Sequence, residues 1–322
     1  MHLKAILAAG LLAGFAATPA LAETWDMPTP YPAKTFHTVN IQQFADDVKA
    51  ATGGKLEITV HPAGSLFKHP EIKNAVRSGQ VQAGEFLLAL LANENPIFEV
   101  DAVPFLATNY DDAMKLWNAS KAGVEGLLDK QGIKILYAVP WPPQGLYTIK
   151  DINSGDDLKG LKFRAQNKAG ERLAQLLGMV PTQIEVADLA QAFTTGRVEA
   201  MMTSPSTGAN SRSWDYLSHF YHTQAWLPKN AVVVAKKAFA RLPDDVKTAV
   251  LDAAAKAEKR GWDMSKEETA IKIAELKKGG MIVNDPSDAL KADLKKVGET
   301  MTEEWVKAAG AEGQAIIDAY RK

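Results

Sequence analysis

Three groups of residues have the types and spacing to do chemistry. Ser65-Leu66-Phe67-Lys68 has the S-x-x-K spacing that sets a lysine amine beside a serine nucleophile in acyl enzymes, but no S-D-N or K-T-G partner accompanies it. His61 with His69, and His219 with His222, offer imidazole pairs. Neither pair has carboxylates at a familiar ligand spacing, so no metal site is expected. The third group is 157-DLKGLKFR-164, where a strand-like alternation ends on Arg164. A guanidinium there is either half of an internal ion pair or a cation at the mouth of a cleft. No G-x-S-x-G, H-E-x-x-H, P-loop or dinucleotide glycine fingerprint occurs. Binding rather than catalysis is therefore expected, without a cofactor.

The elements that must position Arg164 follow from periodicity. Leu161 and Phe163 alternate with Lys162 and Arg164, and an amphipathic helix over Ala169 to Leu177 comes directly after. Upstream, Ile41, Phe44, Ala45 and Val48 share one helical face that Gly53-Gly54 ends, and Leu56, Ile58 and Val60 then alternate as a strand. A helix near 71–78 and an apolar stretch at 83–91 continue the pattern of an α/β domain. Segments 110–117 and 120–132 read as helices and 133–139 as a buried strand. Then 140-PWPPQG-145 interrupts, since three prolines cannot continue a helix or a central strand. It is expected to cross between domains. Beyond it, 146–149, 161–165 and 198–204 read as strands, 187–196 and 206–217 as helices, and 221–226 and 230–235 as extended. From Pro243 to Lys278 one helical pattern runs on, about 54 Å at 1.5 Å per residue. It has no sustained a/d heptad, so a brace across more than one domain is expected; Gly261 inside it leaves room for a kink.

Bulk composition sets the setting. The 322 residues carry 37 Lys+Arg, 38 Asp+Glu and no cysteine. This near balance gives no basic surface for nucleic acid, and disulfides and thiolate metal sites are excluded. A basic start at Met1 to Lys4, an apolar run from Ala5 to Ala17 and Ala20-Leu21-Ala22 have the layout of a secretory signal peptide, too short to span a membrane well. Residues 1–22 are therefore expected to be removed, leaving a periplasmic chain from Glu23 that is long enough for two domains.

Four stretches resemble the substrate-binding proteins of TRAP (tripartite ATP-independent periplasmic) transporters, the DctP-type family. They are 61-HPAGSLFKHPEIKNAVRSGQVQAGE-85, 101-DAVPFLATNYDDA-113, 157-DLKGLKFR-164 and 189-LAQAFTTGRVEAMMTSP-205. The third, with Val180-Pro181 after the next helix, is the most specific, and the resemblance covers nearly the whole chain beyond residue 22. It implies a type II-like, two-domain α/β periplasmic binding fold, with a hinge and a long helix bracing both domains. Domain I is expected at 23–144 plus about 230–269, and domain II at about 145–229 plus 270–322, with the ligand cleft between them. It further implies ligand capture in the periplasm and delivery to membrane permease subunits, driven by an ion gradient. Arg164 is implied to clamp the ligand carboxylate, a role that suits the planar two-pronged guanidinium.

Two positions depart from the family pattern. Where many members carry Gln-Glu-Asn-Pro, this chain has Met202-Thr203-Ser204-Pro205, which puts Ser204 in the place of the amide and Thr203 before it. Where many carry a second Arg after the crossing, this chain has Tyr147 nearby. Loss of that cation points to a ligand with one carboxylate. Trp141, Tyr147 and Trp226 flank the motifs as candidates for an aromatic wall, while Phe193 and Met202 are expected in the core. Glu85 and Gln144 are candidates to bond an amine, hydroxyl or keto group. The reading is a monomeric receptor for a small organic monocarboxylate, with 2-oxo and 2-hydroxy acids, aryl ones included, as candidates. Rival readings are an amino-acid-binding protein of an ATP-driven importer, a periplasmic serine acyl enzyme using Ser65 and Lys68, and a ligand-sensing partner of a membrane receptor.

Overall fold

The structure, a computed structural model, describes residues 22–322; the signal-peptide expectation lies outside them but for Ala22. The chain runs β1 (Glu23–Pro28), α1 (Phe36–Ala51), β2 (Leu56–His61), α2 (His69–Ser78), β3 (Ala83–Leu87), α3 (Tyr110–Asp129) and β4 (Ile133–Pro140). It continues as β5 (Gly145–Thr148), β6 (Lys162–Ala165), α4 (Lys168–Leu176), β7 (Val180–Gln183), α5 (Leu189–Thr194), β8 (Ala200–Thr203), α6 (Pro205–Asn210) and β9 (His219–Tyr221). Last come β10 (Lys229–Ala235), α7 (Lys236–Arg241), α8 (Asp244–Lys278), β11 (Ile282–Asn284) and α9 (Asp288–Arg321).

The sheets divide the molecule into two lobes. In the first, β1 and β2 pair in parallel, and β10 lies between β3 and β4, antiparallel to both. In the second, six strands take the order β11-β9-β5-β8-β6-β7. The apolar stretch from Ala83 gives a strand only as far as Leu87, after which a 3-10 turn begins. The two helical segments between 110 and 132 form one helix, α3. In α1 the stripe Ile41, Phe44, Ala45 and Val48 is buried, and the Phe44 ring meets Tyr137 of β4 edge-on at 5.4 Å.

The chain crosses between lobes at two adjacent places. Trp141 N–H donates to Pro228 O at 2.8 Å, Gln144 N–H to Trp226 O at 2.9 Å, and Ala225 N–H to Gln144 O at 2.9 Å. The Pro-rich segment thus stays extended, as proline's fixed φ favours, and pairs with the return strand. Helix α8, with 35 residues, packs on α1 and β4 in one lobe and on α6 and β11 in the other. Asn40 Nδ2 of the first lobe donates to Ala257 O at 2.9 Å, and Ser206 of the second to Glu268 Oε1 at 2.6 Å. The helix runs unbroken through Gly261, and a side chain at that position would collide with Val139 and Asn40. Gly261 serves close packing of helix on sheet. It is α9 that breaks, at Gly310, whose φ of 63° lies in the left-handed region. The start of α9 is tied to the second lobe, through Gly155 N–H on Asp293 at 3.0 Å. Its later part is tied to the first, through Trp305 on Pro96 O and Tyr320 on Leu106 O, both at 2.8 Å. No helix among the described residues is long and apolar enough to cross a membrane.

Candidate functional site

Arg164 stands where the second sheet changes direction. Strand β6 connects through α4 to β7 on one side, and the chain then returns as β8 on the other side of β6. All three strands are parallel, and a crevice opens beyond their carboxyl ends at such a switch point. Arg164 lies in register with Met201 of β8 and Thr182 of β7. Its neighbour Phe163 points into the opposite, fully buried face. Helix α4 pins the strand end: Asn167 caps it by accepting from Gly170 N–H at 2.9 Å, and Ala169, Leu173 and Ala174 bury its apolar face. Lys162, two residues before Arg164, is exposed and donates to Gly196 O at 2.9 Å, away from the crevice.

The guanidinium is buried, with 4 % exposure. Its Nε–H donates to Ile184 O at 2.9 Å and Nη1 to Gln166 Oε1 at 3.0 Å. Among the described residues no carboxylate lies within salt-bridge distance, and Nη2 has no protein acceptor. With five N–H groups per guanidinium, three remain for something else. Burial pulls its pKa down to about 10, against the opposing pull of Glu185, Tyr31 and Tyr216, so it stays charged at neutral pH.

These N–H groups border a cavity of about 50 Å³, room for roughly four waters. The first lobe contributes Tyr31, His69, Leu87, Leu90 and Trp141, and the crossing segments Gln144 and Pro228. The second lobe contributes Arg164, Gln166, Glu185, Val186, Thr203, Ser204 and Thr207. A second cavity of about 240 Å³ adjoins it, sharing Tyr31, Trp141, Val186 and Thr207. Because Arg164 can only donate, Gln166 must turn its oxygen to it. The Gln166 amide N–H then faces Gln144 Oε1 at 3.4 Å.

Of the residues singled out from sequence, Arg164, Thr203, Ser204, Trp141 and Gln144 line one cavity. Ser204 Oγ is partly used, since it caps α6 by accepting from Thr207 N–H at 3.0 Å. Thr203 has no hydrogen-bond partner for its hydroxyl among the described residues. Glu85, Tyr147 and Trp226 do not line the wall. Glu85 lies behind it and accepts from Thr29 Oγ1 at 2.5 Å, Asn230 Nδ2 at 2.8 Å and His37 Nδ1 at 3.2 Å. Asn230 Oδ1 in turn accepts from Trp141 Nε1 at 3.0 Å, which fixes the indole ring edge-on to Tyr31. Tyr147 lies under α6 against Gly208, its hydroxyl donating to Ser204 O at 3.1 Å. Trp226 is fully buried in the crossing segment and offers its backbone oxygen to Gln144.

Sequence reasoning missed Gln166, Glu185, Tyr31 and Thr207, and took His69 only as half of an imidazole pair. Gln166 had a signal, being two residues past Arg164 on the same strand face. Glu185 had none, because it comes after β7 in an irregular turn. The other chemical candidates disperse. Ser65 and Lys68 are both exposed and do not bond each other. His61 pairs with Asp26 at 2.7 Å, and His219 with the neighbouring Ser218 at 2.8 Å. Among the described residues no three His, Cys, Asp or Glu side chains are grouped to hold a metal ion.

Known proteins match this architecture closely. The chain is 47 % identical to DctP6 of Bordetella pertussis, an extracytoplasmic solute receptor binding pyroglutamic acid. That match covers 93 % of this chain and 99 % of the other, with a TM-score of 0.92. A marine metagenome TRAP solute-binding protein specific for pyroglutamate is 44 % identical over 93 % of this chain and 99 % of its own, with a TM-score of 0.91. The C4-dicarboxylate-binding periplasmic protein DctP of Rhodobacter capsulatus is 27 % identical over 98 % of this chain and 97 % of its own. The family described as bacterial extracellular solute-binding protein, family 7 (DctP) matches residues 29–308. The chain belongs to this family of TRAP-type periplasmic solute-binding proteins for small carboxylates.

Proposed function

We propose that this protein is a non-catalytic receptor that captures a small cyclic monocarboxylate of the pyroglutamate type and delivers it to the permease subunits of a TRAP-type secondary transporter. The observation that carries the reading is Arg164: a buried cation with no carboxylate partner among the described residues, its spare N–H groups bordering a small cavity. Glu185 borders the same cavity but makes no salt bridge to the guanidinium; a buried charge without a counter-ion in contact is costly, so the arrangement suits an anion that arrives later. A ligand carboxylate would take two parallel hydrogen bonds from the guanidinium. A single guanidinium on the cavity wall favours one carboxylate over two. Relatives above 40 % identity that bind pyroglutamate support the same class. Thr203 and the second Gln166 N–H, the one not facing Gln144, supply donors for a ring carbonyl. Glu85, Tyr147 and Trp226 act from behind the wall, by fixing Asn230, α6 and the crossing. The lobes close about residues 141–145 and 222–229, and domain I and domain II meet there. The protein works as a periplasmic monomer, mature from Glu23.

Native mass spectrometry of the purified protein tests this, since a tight binder carries its ligand through purification. Calorimetry then compares pyroglutamate, a C4-dicarboxylate and a hexuronate. Pyroglutamate is expected to bind at least tenfold tighter than either; tighter binding of the dicarboxylate or the sugar acid would overturn the reading.

A further inference from the structure

Arg164 is not the only ionised group on the cavity wall. Glu185 borders the same cavity, half-buried, just past β7. The one charged or titratable side chain in contact with it among the described residues is His69 of the first lobe, whose Nδ1 lies 3.5 Å from Oε2. The tautomer of that imidazole is fixed. His69 Nε2 faces the Leu87 N–H at 3.1 Å. A backbone N–H only donates, so Nε2 holds a lone pair and the proton is on Nδ1, the atom nearer Glu185. The contact is long, and it leaves most of the carboxylate's acceptor positions open. Burial works to raise the Glu185 pKa, but His69 and Arg164 outweigh it and hold the carboxyl below its ordinary range. The group is an anion at neutral pH.

This anion sets a condition on the ligand. A carboxylate seated on Arg164 brings a second negative charge into a cavity of about 50 Å³. Because Glu185 borders the same cavity as Arg164, an atom beside that carboxylate is within the space that Glu185 faces. A keto or ring oxygen there would set lone pairs against a carboxylate, whereas an N–H would donate to it. We infer that Glu185 is the specificity-determining acceptor for an N–H beside the ligand's carboxylate, so that the cavity selects lactam acids over isosteres with oxygen in that place. The inference deepens the proposed carboxylate-receptor function and rests on it. It also sharpens the ligand class, because 2-oxo acids present an acceptor where Glu185 requires a donor.

Calorimetry on the whole protein tests it with two probes of equal shape, pyroglutamate and its lactone counterpart, in which ring oxygen replaces N–H. Wild type is expected to prefer the lactam by more than about 100-fold, because a site built around a hydrogen bond rejects the analogue that cannot make it. Glu185→Ala is expected to bring the two within about threefold, by weakening lactam binding and leaving lactone binding unchanged or tighter. The wild-type comparison keeps the inference falsifiable even if the variant fails to fold. Equal binding of both probes to wild type would overturn the role of Glu185 while the carboxylate receptor stands. So would an unchanged preference in folded Glu185→Ala. If neither probe binds while another carboxylate does, the pyroglutamate reading falls, and this inference with it.

Discussion

Glu85 of the first lobe and Arg164 of the second are both buried near the cleft, and the two charges are treated in opposite ways. Glu85 of the first lobe is fully buried and receives hydrogen bonds from Thr29, Asn230 and His37. Arg164 of the second is almost as buried but touches only neutral oxygens, those of Ile184 and Gln166. A buried ion costs several kcal/mol unless its partners repay the lost hydration. Glu85 is repaid within the fold, so its charge is scaffold: it orients Asn230, which orients Trp141. Arg164 is only partly repaid, so its charge is kept ready for a ligand. The completeness of the partner shell, rather than burial, separates the structural ion from the functional one.

The largest test of that contrast is Arg164→Ala. It is expected to cost about 2–5 kcal/mol of ligand binding, because the ligand carboxylate would be left buried and unpaired. Arg164→Lys should lose much of the same energy, since an ammonium lacks the planar fork. The ligand-free Arg164→Ala protein should be no less stable than wild type, as a desolvated cation has been removed. Less than a fivefold change in affinity by calorimetry, in either variant, would end the clamp reading.

Glu85→Leu should show the reverse. Removing one partner of a buried ionic cluster costs about 3–5 kcal/mol of folding free energy, here because Thr29, Asn230 and His37 lose their acceptor. Urea unfolding measures it, and affinity per folded molecule should change far less than for Arg164→Ala. A variant as stable as wild type would show that Glu85 is not scaffold and would erase the contrast.

How much of this contrast was legible in the sequence depends on which link is asked. The strand ending at Arg164 and the helix behind it were legible because alternation and helical period are local. The brace was legible because α8 has no internal proline over its whole length. The shell around each ion was not legible. Thr29, His37, Glu85 and Asn230 are joined by folding over 145 positions between Glu85 and Asn230, and no local spacing encodes that. Glu85 therefore looked like a ligand contact when it lies one layer behind. The role of Gly261 was hidden for a related reason. Its need for close approach to Val139 is a tertiary fact, whereas helical propensity alone registers only a flexible position.

A smaller test addresses the link between scaffold and wall. Trp141→Phe keeps the aromatic body beside Tyr31 but removes the Nε1–H that donates to Asn230. The expected cost is about 0.5–1.5 kcal/mol of stability, the net worth of one such bond, with a modest loss of affinity. A loss of binding as large as that of Arg164→Ala would mean that the indole N–H serves the ligand directly, and would blur the division between wall and scaffold.

The finest test uses pH. Burial alone would raise the Glu85 pKa, but hydrogen bonds and charge from His37, with those from Thr29 and Asn230, hold it below the ordinary 4.5. The unfolded chain therefore binds more protons than the folded one just below that value, and stability rises with pH through this window. The contribution of Glu85 is complete above about pH 4.5 and is lost as the pH falls through the depressed folded value. Asp101 slopes the other way, because burial raises its carboxyl pKa against the pull of Lys229. That opposing slope is common to wild type and Glu85→Gln and cancels in their difference. Urea midpoints from pH 7 down to about 3.5 should show the wild-type advantage over Glu85→Gln shrinking as acid protonates Glu85. A constant gap would mean that its partners hold the neutral acid as well as the anion, and the first lobe's charge would no longer be the satisfied counterpart of Arg164.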